Sequence, residues 1–157
     1  MSKAFDPYNH FGFLTNRVAR LISTYLRPEV QGQGHDMPTS CIGVLADLWR
    51  KDGVTQKELG MSIIKNKSSV NKMLATLESE GLVYKADHPE DKRNKLIFLT
   101  ENGKAMESCI TEADQKAESK LLDGISKEDI ATAKKVLTIL YQNLSTEIQL
   151  KQKDEKH

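Results

Sequence analysis

Apolar residues recur three or four positions apart at Phe11, Leu14, Val18, Leu21 and Tyr25, the spacing that lays one apolar stripe along an α-helix. The stripe predicts a first helix over residues 9–27. Pro28 is expected to end it, since the ring removes a backbone donor and restrains the residue before it. Residues 28–37 place Gly32 and Gly34 among polar side chains and predict a loop. A second helix follows, capped by Thr39 or Ser40, with Ile42, Leu45, Leu48 and Trp49 as its apolar positions and its end before Asp52-Gly53.

Thr55-Gln-Lys-Glu58 is a capping box, in which hydroxyl and carboxylate satisfy the orphan backbone donors of a third, short helix. Asn66 caps a fourth over residues 67–80, with Val70, Leu74 and Leu77 on its inner face and Gly81 as its stop. Residues 82–84 and 96–99 read as two strands around a polar loop. Thr100 opens a fifth helix carrying Met106, Ile110, Ala113 and Ala117, which Gly124 ends. Ser126 opens a sixth, striped by Ile130, Ala133, Leu137, Leu140, Leu144 and Ile148, before a charged, frayed tail over residues 151–157. The order is α-α-α-α-β-β-α-α: mainly α with a small β-hairpin wing. That is a winged helix-turn-helix, which sets one helix in the DNA major groove and a wing beside it.

At 157 residues the chain has room for one domain. It is read as a single unit over 1–157, with the DNA-binding part at 38–104. The first, fifth and sixth helices, at 9–27 and 105–150, carry more apolar face than a winged module needs for its own core. A second copy of the chain is the economical way to cover it, so a homodimer is expected, with Leu14, Val18, Leu137, Leu140 and Leu144 in the interface.

Charge refines this picture. The net charge is only +1, but residues 53–104 hold nine Lys/Arg against seven Asp/Glu, whereas 105–157 hold eight against ten. The surplus therefore lies where DNA would bind. Residues 65–72 contain three lysines and no acid, a patch suited to phosphate. The N-terminal ten residues have no apolar run, which predicts neither signal peptide nor membrane span and a cytoplasmic protein. Cys41 and Cys109 lie in no metal-ligand spacing, and His10, His35, His88 and His157 have no nucleophile or carboxylate in catalytic spacing. The expectation is no enzyme, no cofactor and no metal.

Thr55-Gln-Lys-Glu-Leu59, Leu77-Glu-Ser-Glu-Gly-Leu-Val83 and Asp91-Lys-Arg93 followed by Leu99-Thr-Glu-Asn-Gly103, in that order and spacing, resemble the MarR family of transcriptional regulators over nearly the whole chain. The resemblance implies a triangular homodimer with its terminal helices knotted into the interface. It implies two winged domains on successive major grooves of a pseudo-palindromic operator, and repression relieved by a small ligand or an oxidant. One stretch departs from the pattern: Gly60-Met61-Ser62-Ile63-Ile64 replaces the usual alanine-rich turn.

Candidate roles can be assigned on this frame. Lys67, Ser68, Ser69, Asn71 and Lys72 begin the recognition helix, where Asn71 is suited to adenine and serines to base or phosphate. Lys65, Thr55 and Lys85 are assigned to phosphate. On the wing, Arg93 matches the family's minor-groove arginine, with Lys92 and Lys95 beside it and Asp91 as the acid that orients them. For a small-molecule effector the resemblance points to Phe11, Phe13, Met37, Cys41, Trp49 and Met106. Cys41 opens the second helix, where the backbone dipole would lower its pKa, although burial would leave it inert. An architectural DNA binder and a winged protein-interaction module are the rival readings. The lysines of residues 65–72 argue against the second.

Overall fold

A computed structural model describes residues 6–32, 34–91 and 93–154. After a short turn at Pro7–Asn9, the elements are α1 (Phe11–Gln31), α2 (Cys41–Arg50), β1 (Val54–Thr55), α3 (Gln56–Ser62), α4 (Lys67–Ser79), β2 (Val83–Asp87), β3 (Lys95–Leu99), α5 (Glu101–Leu121) and α6 (Lys127–Asp154).

The core gathers where α2, α4 and the sheet meet. Leu45, Leu48, Leu59, Leu74, Leu77, Leu82 and Ile97 are fully buried there, each burial worth about 1.5–3 kcal/mol. The strands form one antiparallel sheet in the order β1-β3-β2, with Val83 opposite Leu99 and Asp87 opposite Lys95. β1 is an addition to the two strands predicted. It is two residues long, too short for a periodic signal, and exists because Val54 pairs with Ile97 on the free edge of β3.

Three caps form as the sequence predicts. Thr55 and Glu58 exchange both hydrogen bonds of the capping box, the Asn66 side chain accepts from the Ser69 N–H, and Thr100 accepts from the Gly103 N–H. Gly81 has φ +68° beyond the end of α4, a conformation glycine adopts without penalty. Other boundaries are corrected. α1 does not stop at Pro28 but runs on to Gln31, and Gly32 N–H donates to the Pro28 carbonyl to close its last turn. The extra turn places Val30, only 1% exposed, in the core, and this burial offsets the donor lost at proline. Neither Thr39 nor Ser40 caps α2 with its side chain; Cys41 and Ile42 N–H donate instead to the carbonyls of Pro38 and Thr39. α6 continues through Asp154, past the predicted start of fraying, and residues 155–157 lie outside those described.

The α3–α4 turn is strained. Lys65 N–H donates to the Gly60 carbonyl at 3.0 Å, closing a Schellman-type C-cap in which Ile64 occupies the left-handed position with φ 53°. A β-branched residue pays about 1–2 kcal/mol to sit there. Ile64→Gly is therefore expected to raise stability by about 0.5–1 kcal/mol, read as a higher denaturant midpoint at unchanged slope. A lower midpoint would mean that the packing of the Ile64 side chain outweighs the strain.

Candidate nucleic-acid interface

α4 turns Val70, Leu74 and Leu77 into the core, which leaves Lys67, Ser68, Asn71 and Lys72 exposed and Ser69 half-buried. Lys65 is exposed immediately before the helix. Among the described residues no carboxylate pairs with Lys65, Lys67 or Lys72, so all three charges are open to an anionic partner. Asn66 is a cap. Asn71 has a partner that sequence reading did not supply: Gln56, the first residue of α3, donates from Nε2 to Asn71 Oδ1 at 2.7 Å and to the Lys67 carbonyl at 3.5 Å. This bond ties α3 to the exposed face of α4 and fixes which edge of the Asn71 amide faces outward. Residues fifteen apart on two different helices carry no periodic signal that would have paired them.

The wing is organised by its own polar residues. Asp91 accepts from the Arg93 N–H at 3.0 Å and from Asn94 Nδ2 at 2.8 Å. It therefore shapes the loop backbone rather than orienting the basic side chains, as expected of it from sequence. His88, assigned no role before, accepts from the N–H groups of Glu90 and Asp91 through Nδ1, both at 3.2 Å. Arg93 is exposed at the tip. Lys95 pairs with Asp87 across the strands, and Lys85 with Glu78 at 2.5 Å, so both cations are partly neutralised. Lys92 lies outside the described residues.

Thr55 is a further correction. Its hydroxyl donates to Glu58 Oε2 at 2.8 Å and accepts from the Glu58 N–H, which leaves it no donor for a phosphate. The Thr55 N–H bond to the carboxylate is the chief reason that the Glu58 pKa lies below its ordinary value.

Residues 42–95, covering α2 to the wing, match the sequence model of the MarR family. Over this stretch the chain is similar to the MarR family. It is 29% identical over 99 residues to the organic hydroperoxide resistance transcriptional regulator of Bacillus subtilis, a match covering 63% of this chain and 64% of that protein. The fold recurs in PcaV of Streptomyces coelicolor in complex with its natural ligand, at TM-score 0.74 and 19% identity, over 89% of this chain and 97% of that one. It recurs in reduced AbfR bound to DNA, at TM-score 0.71 and 25% identity, over 90% and 94% of the two chains. Its relatives are regulators of transcription, not enzymes.

The residues expected around an effector do not converge. Met37, Cys41 and Met106 are buried in the core, whereas Phe11 is exposed and Phe13 meets Tyr8 edge-on with the Arg17 guanidinium over its ring. Trp49 alone of the six lines the cavity of about 460 Å³ that opens between α1, α2 and α5. Leu26, Val30, Ile42 and Ile110 complete its apolar wall, and Thr111, Asp114, Gln115 and Glu118 its polar side. Pro28 concealed it, because a helix ending at 27 would have left Val30 outside the wall. Cys41 is 1% exposed, and burial pushes its thiol up, the buried, inert state expected to outweigh any lowering by the helix dipole. Cys109 is half-buried. No helix among the described residues is long and apolar enough to cross a membrane.

Proposed function

We propose that this protein is a cytoplasmic, sequence-specific DNA-binding regulator that acts as a homodimer on a pseudo-palindromic operator, as a repressor released by a small molecule. The observation that carries the reading is the first turn and a half of α4: a base-reading amide at Asn71, hydroxyls at Ser68 and Ser69, and three unpaired lysines around them. Inserted in a major groove, the lysines neutralise phosphates and set register while Asn71 discriminates bases. Arg93 reaches the neighbouring minor groove. The DNA-bound state of AbfR supports the DNA partner, and the liganded state of PcaV supports the effector.

Exposed apolar side chains on α1 (Phe11, Leu14, Val18, Leu21) and on α6 (Leu137, Tyr141, Leu144) support the dimer, since such surface is costly to leave in water. Leu140 is half-buried within the protomer and sits between two of them. The effector site in this reading is the cavity between α1, α2 and α5. α1 supplies part of its wall, and the segment just after α1 is tied to the end of the recognition helix, where Glu80 accepts from His35 Nδ1 at 3.1 Å and from the Asp36 N–H at 3.3 Å. A ligand that moves α1 thus pulls on α4.

Selection of bound sequences from a random DNA pool, with the solution mass recorded alongside, tests the proposal. A pseudo-palindrome with half-sites about one helical turn apart, bound by a dimer, is the expected result. No enriched motif would leave an architectural or protein-binding role. On the selected site, Asn71→Ala is expected to lose about tenfold or more in affinity while binding to unrelated DNA stays within about twofold. Gln56→Ala is expected to give a smaller loss of the same kind, because it frees the Asn71 amide. Arg93→Ala should weaken operator binding several-fold and relax any A·T preference under the wing. Wild-type affinity and specificity in all three would sink this docking.

A further inference from the structure

We infer that the cavity between α1, α2 and α5 selects an aromatic or similarly compact apolar molecule bearing a cationic head. The inference rests on the reading of this cavity as the effector site and names the chemistry of its ligand.

The volume, about 460 Å³, suits a body of one or two fused rings. Its walls from α1 and α2 are Val30, Ile42 and Trp49, with nothing polar left to offer: the Trp49 Nε1–H already donates to the Gly103 carbonyl at 2.9 Å. Trp49 therefore contributes aromatic carbon, a surface that attracts cations as well as apolar groups. The charged groups of the lining all come from α5, and both are carboxylates, Asp114 and Glu118, one turn apart. Among the described residues, no lysine, arginine or histidine lines the cavity. Among the described residues, the cation that pairs with one of these carboxylates is Lys134 of α6, whose Nζ binds Glu118 Oε1 at 2.9 Å. That pair is well exposed, and Asp114 adds to the negative field at the same amine. One lysine against two carboxylates leaves the mouth net negative. A ligand amine placed there gains from Asp114 and competes with Lys134 for Glu118, whereas a carboxylate would face both acids with no cation in the lining to receive it.

Three probes of one shape test this: 2-naphthylmethylamine, 2-naphthalenemethanol and 2-naphthoate, titrated calorimetrically into the full-length protein at neutral pH without DNA. The amine is expected to bind about tenfold more tightly than the naphthoate, with the neutral alcohol between them, the order set by charge because the apolar body is shared. The preference should shrink in high salt. Asp114→Asn combined with Glu118→Gln should abolish the difference between amine and naphthoate while leaving the alcohol within about twofold, a readout that a folding defect would not give. Lys134→Gln should widen the difference. Equal or tighter binding of the naphthoate, or no binding of any probe at millimolar concentration, would overturn the inference. Either result, beside intact operator selection, would leave the DNA-binding reading standing.

Discussion

Gly103→Ala is expected to destabilise the protein by more than about 3 kcal/mol, the scale of a steric insertion that the surroundings cannot absorb. A Cβ built at Gly103 would lie 2.0 Å from the Leu82 carbonyl oxygen and 3.1 Å from Leu99 Cδ2. The obstacle is backbone, so no rotamer change removes it. The segment also has little freedom to back away. Thr100 N–H donates to that same Leu82 carbonyl, the Thr100 hydroxyl donates to the Gly81 carbonyl at 2.6 Å, and the Gly103 carbonyl accepts from Trp49. The first turn of α5 is thus pressed onto the α4–β2 turn with bonds on three sides. For a chain of this size the loss corresponds to a fall of about 8 °C or more in thermal midpoint, followed by circular dichroism. Gly12→Ala is the control, since nothing lies within 4 Å of its Cβ and the helical site should gain about 0.5–1 kcal/mol. A midpoint within 2 °C of wild type for Gly103→Ala would mean that α5 can slide off the turn.

Leu137→Glu combined with Leu144→Glu is expected to halve the solution mass and remove operator binding. These side chains are 49% and 56% exposed in the protomer, so the substitutions create no cavity and leave the single chain folded. In the proposed dimer the same carboxylates would be buried without partners, at a cost of several kcal/mol each way they are accommodated. A monomer engages one half-site and loses the gain from linking two, about a hundredfold or more in apparent affinity. Analytical ultracentrifugation reads the first effect and operator titration the second. An unchanged mass would move the interface off α6. A monomer that still binds the full operator tightly would separate dimerisation from recognition.

Much of the winged unit could be read from residue order because its signals are local. Thr55 with Glu58, Asn66 with the Ser69 N–H, and Thr100 with the Gly103 N–H are each satisfied within one helical turn, so the residues that announce the helix are the ones that cap it. The exposed face of α4 followed from its buried one: once Val70, Leu74 and Leu77 point inward, Lys67, Ser68, Asn71 and Lys72 must point out. Pro28 misled for the complementary reason. Its local cost is real, but burial of Val30 one turn later outweighs it, and burial is a property of the packed chain.

By itself, then, the sequence determined the helices apart from the last turn of α1, the caps of α3, α4 and α5, the wing and the basic patch, all fixed by interactions within a few residues and by the period of the apolar stripe. Tertiary structure decided the last turn of α1, the β1 edge, the Gln56 bond that sets Asn71, the approach of Gly103 to Leu82, and the cavity with its acidic mouth. Each depends on groups far apart along the chain, whose distance is set only when the core closes and fixes the elements against one another.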